Sequence, residues 1–318
     1  MEESKLTVVI PVYNAEKFIE ETVLSVLSQN LNGYEIVIIN DGSQDRSGEI
    51  IDILANKYQR ITVIHQSNKG LSASRNIGID LSKSKYIYFL DSDDVLIKES
   101  LEKMISLAES TNSDIVHFTS YSMDVDGSIK SKRRIRQFSQ HIPIEGVELL
   151  YQLFSTNNYQ TNVQKYIFRR QFLIDSNLRF DEGYIHEDEA FTIEALSLAQ
   201  SATSIGEPLL KKRFRKGSIM STPKNEKNIE GYAKAVTRLL GFLEEHPVNK
   251  KTEYIIRKKI RQLTRRCITL IYAINELDKG NRKLKDFLKN KYLLKAGWDL
   301  YFKSKLYGPY QAVRKRLP

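Results

Sequence analysis

Cysteine occurs once in the chain, at Cys267, so no internal disulfide can form, as suits a reducing compartment. That cysteine lies in the apolar stretch Cys267-Ile-Thr-Leu-Ile-Tyr-Ala-Ile274, where a thiol is core material rather than a nucleophile. No apolar run approaches the roughly 20 residues needed to span a bilayer. The start, Met1-Glu-Glu-Ser-Lys5, lacks the basic segment followed by an apolar one that marks a secretory leader. The expectation is a soluble or peripheral cytoplasmic protein. A glycine-rich turn is missing after the first strand-like run, where Pro11-Val-Tyr-Asn14 stands, which excludes the nicotinamide-dinucleotide fingerprint. Zinc-ligand spacings and the aromatic-studded sheet signature of RNA modules are absent too, so the net charge of +10 is not read as nucleic-acid binding. There is no internal repeat and no low-complexity tract.

What is present is an uneven charge. Residues 1–230 hold 27 Lys+Arg against 32 Asp+Glu, whereas residues 231–318 hold 22 against 7. With 318 residues and 41% hydrophobic content there is material for a large domain and an appendage. Short β-branched or aromatic runs at Thr7–Pro11, Tyr34–Ile39, Ile61–His65, Tyr86–Leu90 and Asp114–Phe118 read as strands buried on both faces. Between them, Phe18, Ile19, Val23, Val26 and Leu27 share one helical face, as do Ile50, Ile51, Leu54 and Tyr58, and again Leu101, Met104, Ile105 and Ala108. Repeated strand and helix predict a mainly parallel, doubly wound α/β sheet. Right-handed crossovers then bring Tyr13-Asn14, Asp41-Gly-Ser43 and Asp91-Ser-Asp93 to one edge. Residues 130–145, with Lys130, Lys132, Arg133, Arg134 and Arg136, read as an exposed loop. A helix is expected around Gly146–Phe154, a strand at Lys165–Phe168, a helix near His186 and a basic turn at Lys211–Ser218. Beyond Glu230 the pattern is helical only, with apolar stripes through Tyr232, Val236, Leu239, Leu240 and Leu243 and through Ile256, Ile260, Leu263, Cys267, Leu270 and Ile274.

The carboxylates of Asp91-Ser-Asp-Asp94 follow directly on an apolar strand, the place where α/β sheets carry ligands. Two of them can turn toward a hard divalent cation, and an ion held by one or two carboxylates completes its shell with phosphate oxygens. The plainer alternative is a helix cap. Asp41 can accept a hydrogen bond from the imide of a uracil or cap the helix that follows. Arg75 offers a fork of donors suited to phosphate or to a surface salt bridge. His186-Glu-Asp-Glu189 reads as a negatively charged first helical turn, favoured by the helix dipole, or as a source of a general base.

Five strings occur in a familiar order: Val8-Val-Ile-Pro-Val-Tyr-Asn14, Ile38-Ile-Asn-Asp-Gly-Ser43 with Asp45, Asn68-Lys-Gly-Leu-Ser-Ala-Ser-Arg-Asn76, Phe89-Leu-Asp-Ser-Asp-Asp94 and Glu187-Asp188. In these, over about residues 5–222, the chain resembles the inverting glycosyltransferases of family 2, which have the GT-A fold and transfer sugars from nucleotide diphosphates. The resemblance implies a GT-A domain over residues 1–230 and a basic helical region over 231–318. It implies that Pro11, Tyr13, Asn14, Asp41, Ser43 and Asn68 surround the nucleoside, and that Arg75 reaches the diphosphate. Asp93 is expected on a Mn2+ or Mg2+ ion, with Asp91 and Ser92 nearer the ribose or sugar. Asp188 is the expected base, with Glu187 orienting the site. Arg215, Lys216 and Ser218 correspond to a segment that folds over the diphosphate. The sequence departs from the family pattern at Val163-Gln164, His186 and Leu210-Lys-Lys212. The implied partners are a nucleotide-sugar donor, with UDP favoured, and a glycan or lipid-linked acceptor in capsule, exopolysaccharide or cell-wall synthesis. The basic tail joins cations to Trp298, Tyr301, Phe302 and Tyr307, a surface for the anionic inner face of a membrane, for a protein partner or for a second copy of the chain. A sugar-nucleotide-binding scaffold without catalysis is the alternative function.

Overall fold

In the computed structural model of the protein, residues 4–131, 138–214 and 225–274 are described. They form two compact units, one of residues up to 183 and from 187 to 214, the other of Tyr184–His186 and residues from 225 onward. The first unit runs β1 (Leu6–Val12), α1 (Ile19–Leu27), β2 (Tyr34–Asp41), α2 (Ser47–Lys57), β3 (Ile61–Gln66), α3 (Leu71–Leu81), β4 (Tyr86–Phe89), β5 (Val95–Leu96), α4 (Ser100–Thr111) and β6 (Ile115–Met123). It continues with β7 (Ile129–Ser131), β8 (Gln140–Ile144), α5 (Gly146–Ser155), β9 (Tyr166–Arg169), α6 (Arg170–Asp175), α7 (Asp188–Leu198) and β10 (Ala202–Arg213).

The strands make one mixed sheet in the order β3-β2-β1-β4-β9-β6-β10-β5, with β7 on β6 and β8 on β10. Its β3-β2-β1-β4 part is wholly parallel, as the repeated strand and helix require. β9 then enters antiparallel between β4 and β6. The core lies where β1, β2 and β4 meet α1, α2 and α4, with Val8, Ile10, Ile36, Ile38, Tyr88, Val23, Leu54 and Met104 all buried. α3 approaches β1 closely because its contact residue is Gly78, where a Cβ would collide with Val9.

Several sequence expectations change. Pro11 does not end β1: it pairs with Ile39 of β2 and the strand runs on to Val12. It lies beyond Val9, the last β1 residue paired to β4, so its missing N–H removes no ladder bond. Residues 130–145 are not a loop throughout, since β7 and β8 are antiparallel edge strands there; Lys132–Arg136 lie outside the described residues. The expected strand at Lys165 begins one residue later, after a 3-10 turn over Val163–Lys165. Lys211, Lys212 and Arg213 are not in a turn but on β10, parallel to Tyr121–Met123 of β6.

In the second unit α8 (Glu226–Glu245) and α9 (Lys250–Ile274) bury Tyr232, Val236, Leu239, Ile256, Ile260 and Leu263. Cys267 is buried there as core, and burial pushes its thiol up to about 12. Asn225 caps α8 by accepting from Lys227 N, while Asn228 Oδ1 accepts from Asn225 N at 2.8 Å. Tyr254, Arg257, Arg265 and Arg266 lie exposed along α9, with Lys258 and Arg261 beside them.

Candidate active site

The carboxyl ends of β1, β2 and β3 carry loops that interlock through short polar side chains. Asn14, at φ 49°, donates its backbone N–H to Ser43 Oγ at 3.1 Å and accepts Gln44 N on Oδ1 at 2.8 Å. Ser43 N in turn donates to Asn40 Oδ1 at 3.1 Å. Tyr13 stands 48% exposed above this edge, a flat ring open to a base. Asp45 accepts from Ser47 N at 3.0 Å, at the start of α2. That position is the one considered for Asp41, which does something else.

Asp41 is buried and accepts from Lys69 N at 2.7 Å, Gly70 N at 2.8 Å and Gln66 Nε2 at 2.8 Å. A carboxylate has about four lone-pair sites, so one acceptor direction remains for a ligand. These bonds fold the loop after β3 against the end of β2. Gly42, at φ +73°, makes room: a Cβ there would sit 2.8 Å from Asn68 N.

A second cluster forms where the segment after β4 meets α3, α7 and β10. Arg75 of α3 is only 3% exposed; its Nη2 donates to Asp91 Oδ1 at 3.0 Å and its Nη1 to Glu187 Oε1. It is therefore a buried tie between two carboxylates, not a surface salt bridge. Asp91 Oδ2 accepts Gln164 Nε2 at 2.9 Å, and Lys212 Nζ stands 3.7 Å away. Burial raises the Asp91 carboxyl, but the Arg75 and Lys212 cations outweigh it and hold the group below its ordinary range. Asp188 opens α7, where burial, then Glu187 and Glu189, push its carboxyl well above the usual value. The first-turn reading of the acidic run holds, since Asp188 and Glu189 form the first turn of α7.

No helix begins at Asp91–Asp94, so the capping alternative fails; β5 follows and α4 starts only at Ser100. The segment is pinned instead. Ser92 is buried, and its carbonyl accepts Thr22 Oγ1 at 3.0 Å. Asp94 Oδ1 accepts Arg213 N at 2.6 Å, while its buried Oδ2 has no hydrogen-bond partner. The Asp94 carboxyl is raised to about 7, chiefly by burial, with Lys212 opposing. Arg213 donates from Nε to Asp93 O at 3.0 Å and from Nη1 to Val125 O at 2.6 Å, and pairs with Glu21. Gln164, Lys212 and Arg213 were not expected in the site. Their sequence signal was present only as departures from the family pattern and as a basic run. Lys165, almost wholly buried, donates to Gln160 and is pushed down to about 7, first by burial and then by Lys212. Arg215, Lys216 and Ser218 lie outside the described residues.

The sequence profile of Glycosyl transferase family 2 matches residues 7–178. The glycosyltransferase EpsJ of Bacillus subtilis is 34% identical over 219 residues, 69% of this chain, and the match spans 63% of that relative's length. The glycosyltransferase GlyG of Streptococcus pneumoniae is 31% identical over 68% of this chain and 73% of its own. In fold, the chain is similar to residues 1–349 of TarS from S. aureus, solved in complex with UDP-GlcNAc: TM-score 0.72 at 20% identity, over 90% of this chain and 81% of that one. The chain belongs to glycosyl transferase family 2 and is a glycosyltransferase with a GT-A type α/β fold.

Proposed function

We propose that the chain transfers a hexosyl or N-acetylhexosaminyl group, with inversion, from a uridine-diphosphate sugar to a hydroxyl of a glycan acceptor. The observation that carries this reading is the convergence of Asp91, Glu187 and Arg75 in one hydrogen-bonded group, next to Asp93 and Asp188 in sequence. Tyr13, Asn14, Asp41, Ser43 and Asn68 take the nucleoside. A solved neighbour in fold binds UDP-GlcNAc, which supports uridine in that place.

In the transfer, the acceptor oxygen bonds to the anomeric carbon as that carbon's bond to the terminal phosphate oxygen breaks. The acceptor proton goes to Asp188 and the bonding pair leaves with the nucleoside diphosphate. Burial and acidic neighbours make Asp188 a stronger base than an ordinary aspartate. Arg75, tying Glu187 to Asp91, fixes the acceptor side to the donor side.

The residues fit a divalent cation of the kind this family uses. Among the described residues no group of three or more His, Cys, Asp or Glu could cage an ion. The family resemblance puts Asp93 on that ion, beside the buried Asp94 Oδ2 that has no hydrogen-bond partner, and one or two carboxylates suit Mn2+ or Mg2+ completed by phosphate oxygens. When bound, such an ion offsets the charge gathered by the departing diphosphate.

The exposed cations of α9 favour an anionic membrane surface and hence a lipid-linked acceptor of capsule, exopolysaccharide or cell-wall synthesis. The same test decides donor and acceptor. The chain is incubated with Mn2+ and a panel of nucleotide sugars, offered a polyprenyl-linked sugar in anionic or neutral vesicles, and released nucleotide is measured. Release from UDP-sugars, fastest on anionic vesicles and stopped by chelator, is expected. Release from no donor would return the chain to a sugar-nucleotide-binding scaffold.

A further inference from the structure

Among the described residues, Lys212 is the one basic group of the second cluster that stands off its carboxylate partner at ion-pair rather than hydrogen-bonding distance. Its neighbour Arg213 spends its donors on Asp93 O, Val125 O and Glu21, and Arg75 spends Nη1 and Nη2 on Glu187 and Asp91. Lys212 Nζ instead stands 3.7 Å from Asp91 Oδ2, beyond hydrogen-bonding distance. Asp91 does not need it, since Arg75 and Gln164 already serve both carboxylate oxygens. The Lys212 side chain is 34% exposed, so it is not closed inside the cluster as Arg75 is.

Position then decides what it can meet. Burial works against this ammonium, but Asp91, then Asp94, Asp93 and Asp188, outweigh it and keep it protonated. Lys212 Nζ stands 3.7 Å from Asp91, which Arg75 ties to Glu187, so it lies where the donor-side carboxylate is joined to the acceptor side. That is the region in which the bond between sugar and phosphate breaks. An ammonium with three donors and an open side matches a phosphate oxygen that gathers charge there. A residue meant only to neutralise the cluster would gain more by closing on one carboxylate, as Arg75 does.

We propose that Lys212 is a further catalytic residue, donating to the terminal phosphate of the nucleoside diphosphate and sharing with the divalent ion the neutralisation of the leaving group. The inference rests on the nucleotide-sugar donor reading above. It also gives a reason for the basic residue in place of an aromatic one on β10.

Calorimetric binding of UDP and of uridine to the full chain, in Mn2+ and in chelator, tests it. Lys212→Met should weaken UDP about tenfold or more in chelator, the worth of one charge-assisted hydrogen bond, and less in Mn2+. Uridine, which has no phosphate, should bind the variant and the wild type alike. Lys212→Arg should recover most of the UDP affinity, and Lys212→Gln should behave as Met does, which separates charge from side-chain volume. Equal UDP affinities in wild type and Lys212→Met, or parallel losses for UDP and uridine, overturn the assignment. So does a wild type that binds UDP in Mn2+ but not in chelator. A wild type that takes up neither UDP nor uridine under any condition overturns the donor reading, and this assignment with it.

Discussion

The loops after β1, β2 and β3 and the cluster around Asp91 lie along one sheet but are built by opposite means. The loops are held by short polar side chains bonded to backbone: Asn14 to Gln44 N, Asn40 to Ser43 N, Asp41 to Lys69 N and Gly70 N. Every carboxylate there faces N–H groups, whose partial charges satisfy it without a counter-ion. The cluster is held by ion pairs among buried groups, and it keeps polar atoms unmatched: Asp94 Oδ2 and Arg75 Nε have no partner. Such an arrangement is high in stakes, because removing one charge strands another. Under the function proposed, the difference separates an edge that reads shape from one that handles charge. A neutral, backbone-bonded cradle suits a base and ribose; a charged, incompletely paired group suits a reaction that moves a proton and a phosphate.

The sharpest way to break this comparison is Asp188→Asn. The change keeps volume and removes the proton acceptor, so turnover should fall by at least roughly a hundredfold. Uridine affinity should stay where it was, because the bonds that hold the loops run among Asn14, Asn40, Asp41, Ser43 and the Lys69–Gly70 backbone. Wild-type activity should decline on acidification at a pH above the ordinary aspartate range, since the Asp188 carboxyl is raised and the base works only when ionised. A pH–rate profile of kcat checks this. An acid limb in the ordinary carboxylate range would remove Asp188 as the base.

The loops should respond in the other way. Asp41→Ala strips the acceptor from Lys69 N, Gly70 N and Gln66, leaving two backbone donors to find water. Uridine affinity should drop about tenfold, with kcat at saturating donor nearly unchanged. Asp41→Asn keeps one acceptor oxygen and should fall between. Calorimetry with uridine reads both variants, and a loss confined to kcat would move Asp41 from the cradle to the charged cluster.

How far the sequence could be read follows the same division. β1 to β4 and their helices were legible because each is a local pattern: an apolar run, then a face with helical spacing. β9 was legible as a strand, but its antiparallel place between β4 and β6 was not, because pairing partners some 50 to 80 residues away leave no local mark. β10 was missed whole, since no strand was read between the helix near His186 and the basic run. Lys211, Lys212 and Arg213 look like a solvated turn until parallel pairing with β6 shows a strand, with Lys212 near Asp91 and Arg213 paired to Glu21. In the loops, Asp41, Ser43 and Asn14 were found as residues, though the bonds of Asp41 to the loop after β3 were not. In the cluster, Arg75 was read as a phosphate arm, and only tertiary packing shows it tied to Asp91 and Glu187. Charge compensation between segments is a property of the assembled fold, and so the cluster is where a single sequence says least.

The smallest expected effect lies at His117, on the buried side of this division. His117 of β6 is buried beside Tyr166 and Lys165, bonded to Ser204 Oγ at 2.9 Å, and pushed down to about 3, first by burial and then by the Lys165 ammonium. An unfolded chain takes up the proton near pH 6.5, whereas the native chain resists until about 3. Between those values the unfolded state binds more protons, so this contribution to stability is complete above about 6.5 and is lost as pH falls toward 3. His117→Gln removes the titration along with the ring's packing on Tyr166. At pH 7 the variant should be less stable by about 1 kcal/mol, read as a midpoint lowered by about 2–4 °C. At pH 5 the gap should narrow or reverse, because only the wild type is then penalised for excluding a proton. Thermal unfolding of wild type and variant at pH 7 and pH 5 decides it: a constant gap for His117→Gln would mean that His117 takes its proton inside the fold, and that the buried side of the sheet is wetter than its packing implies.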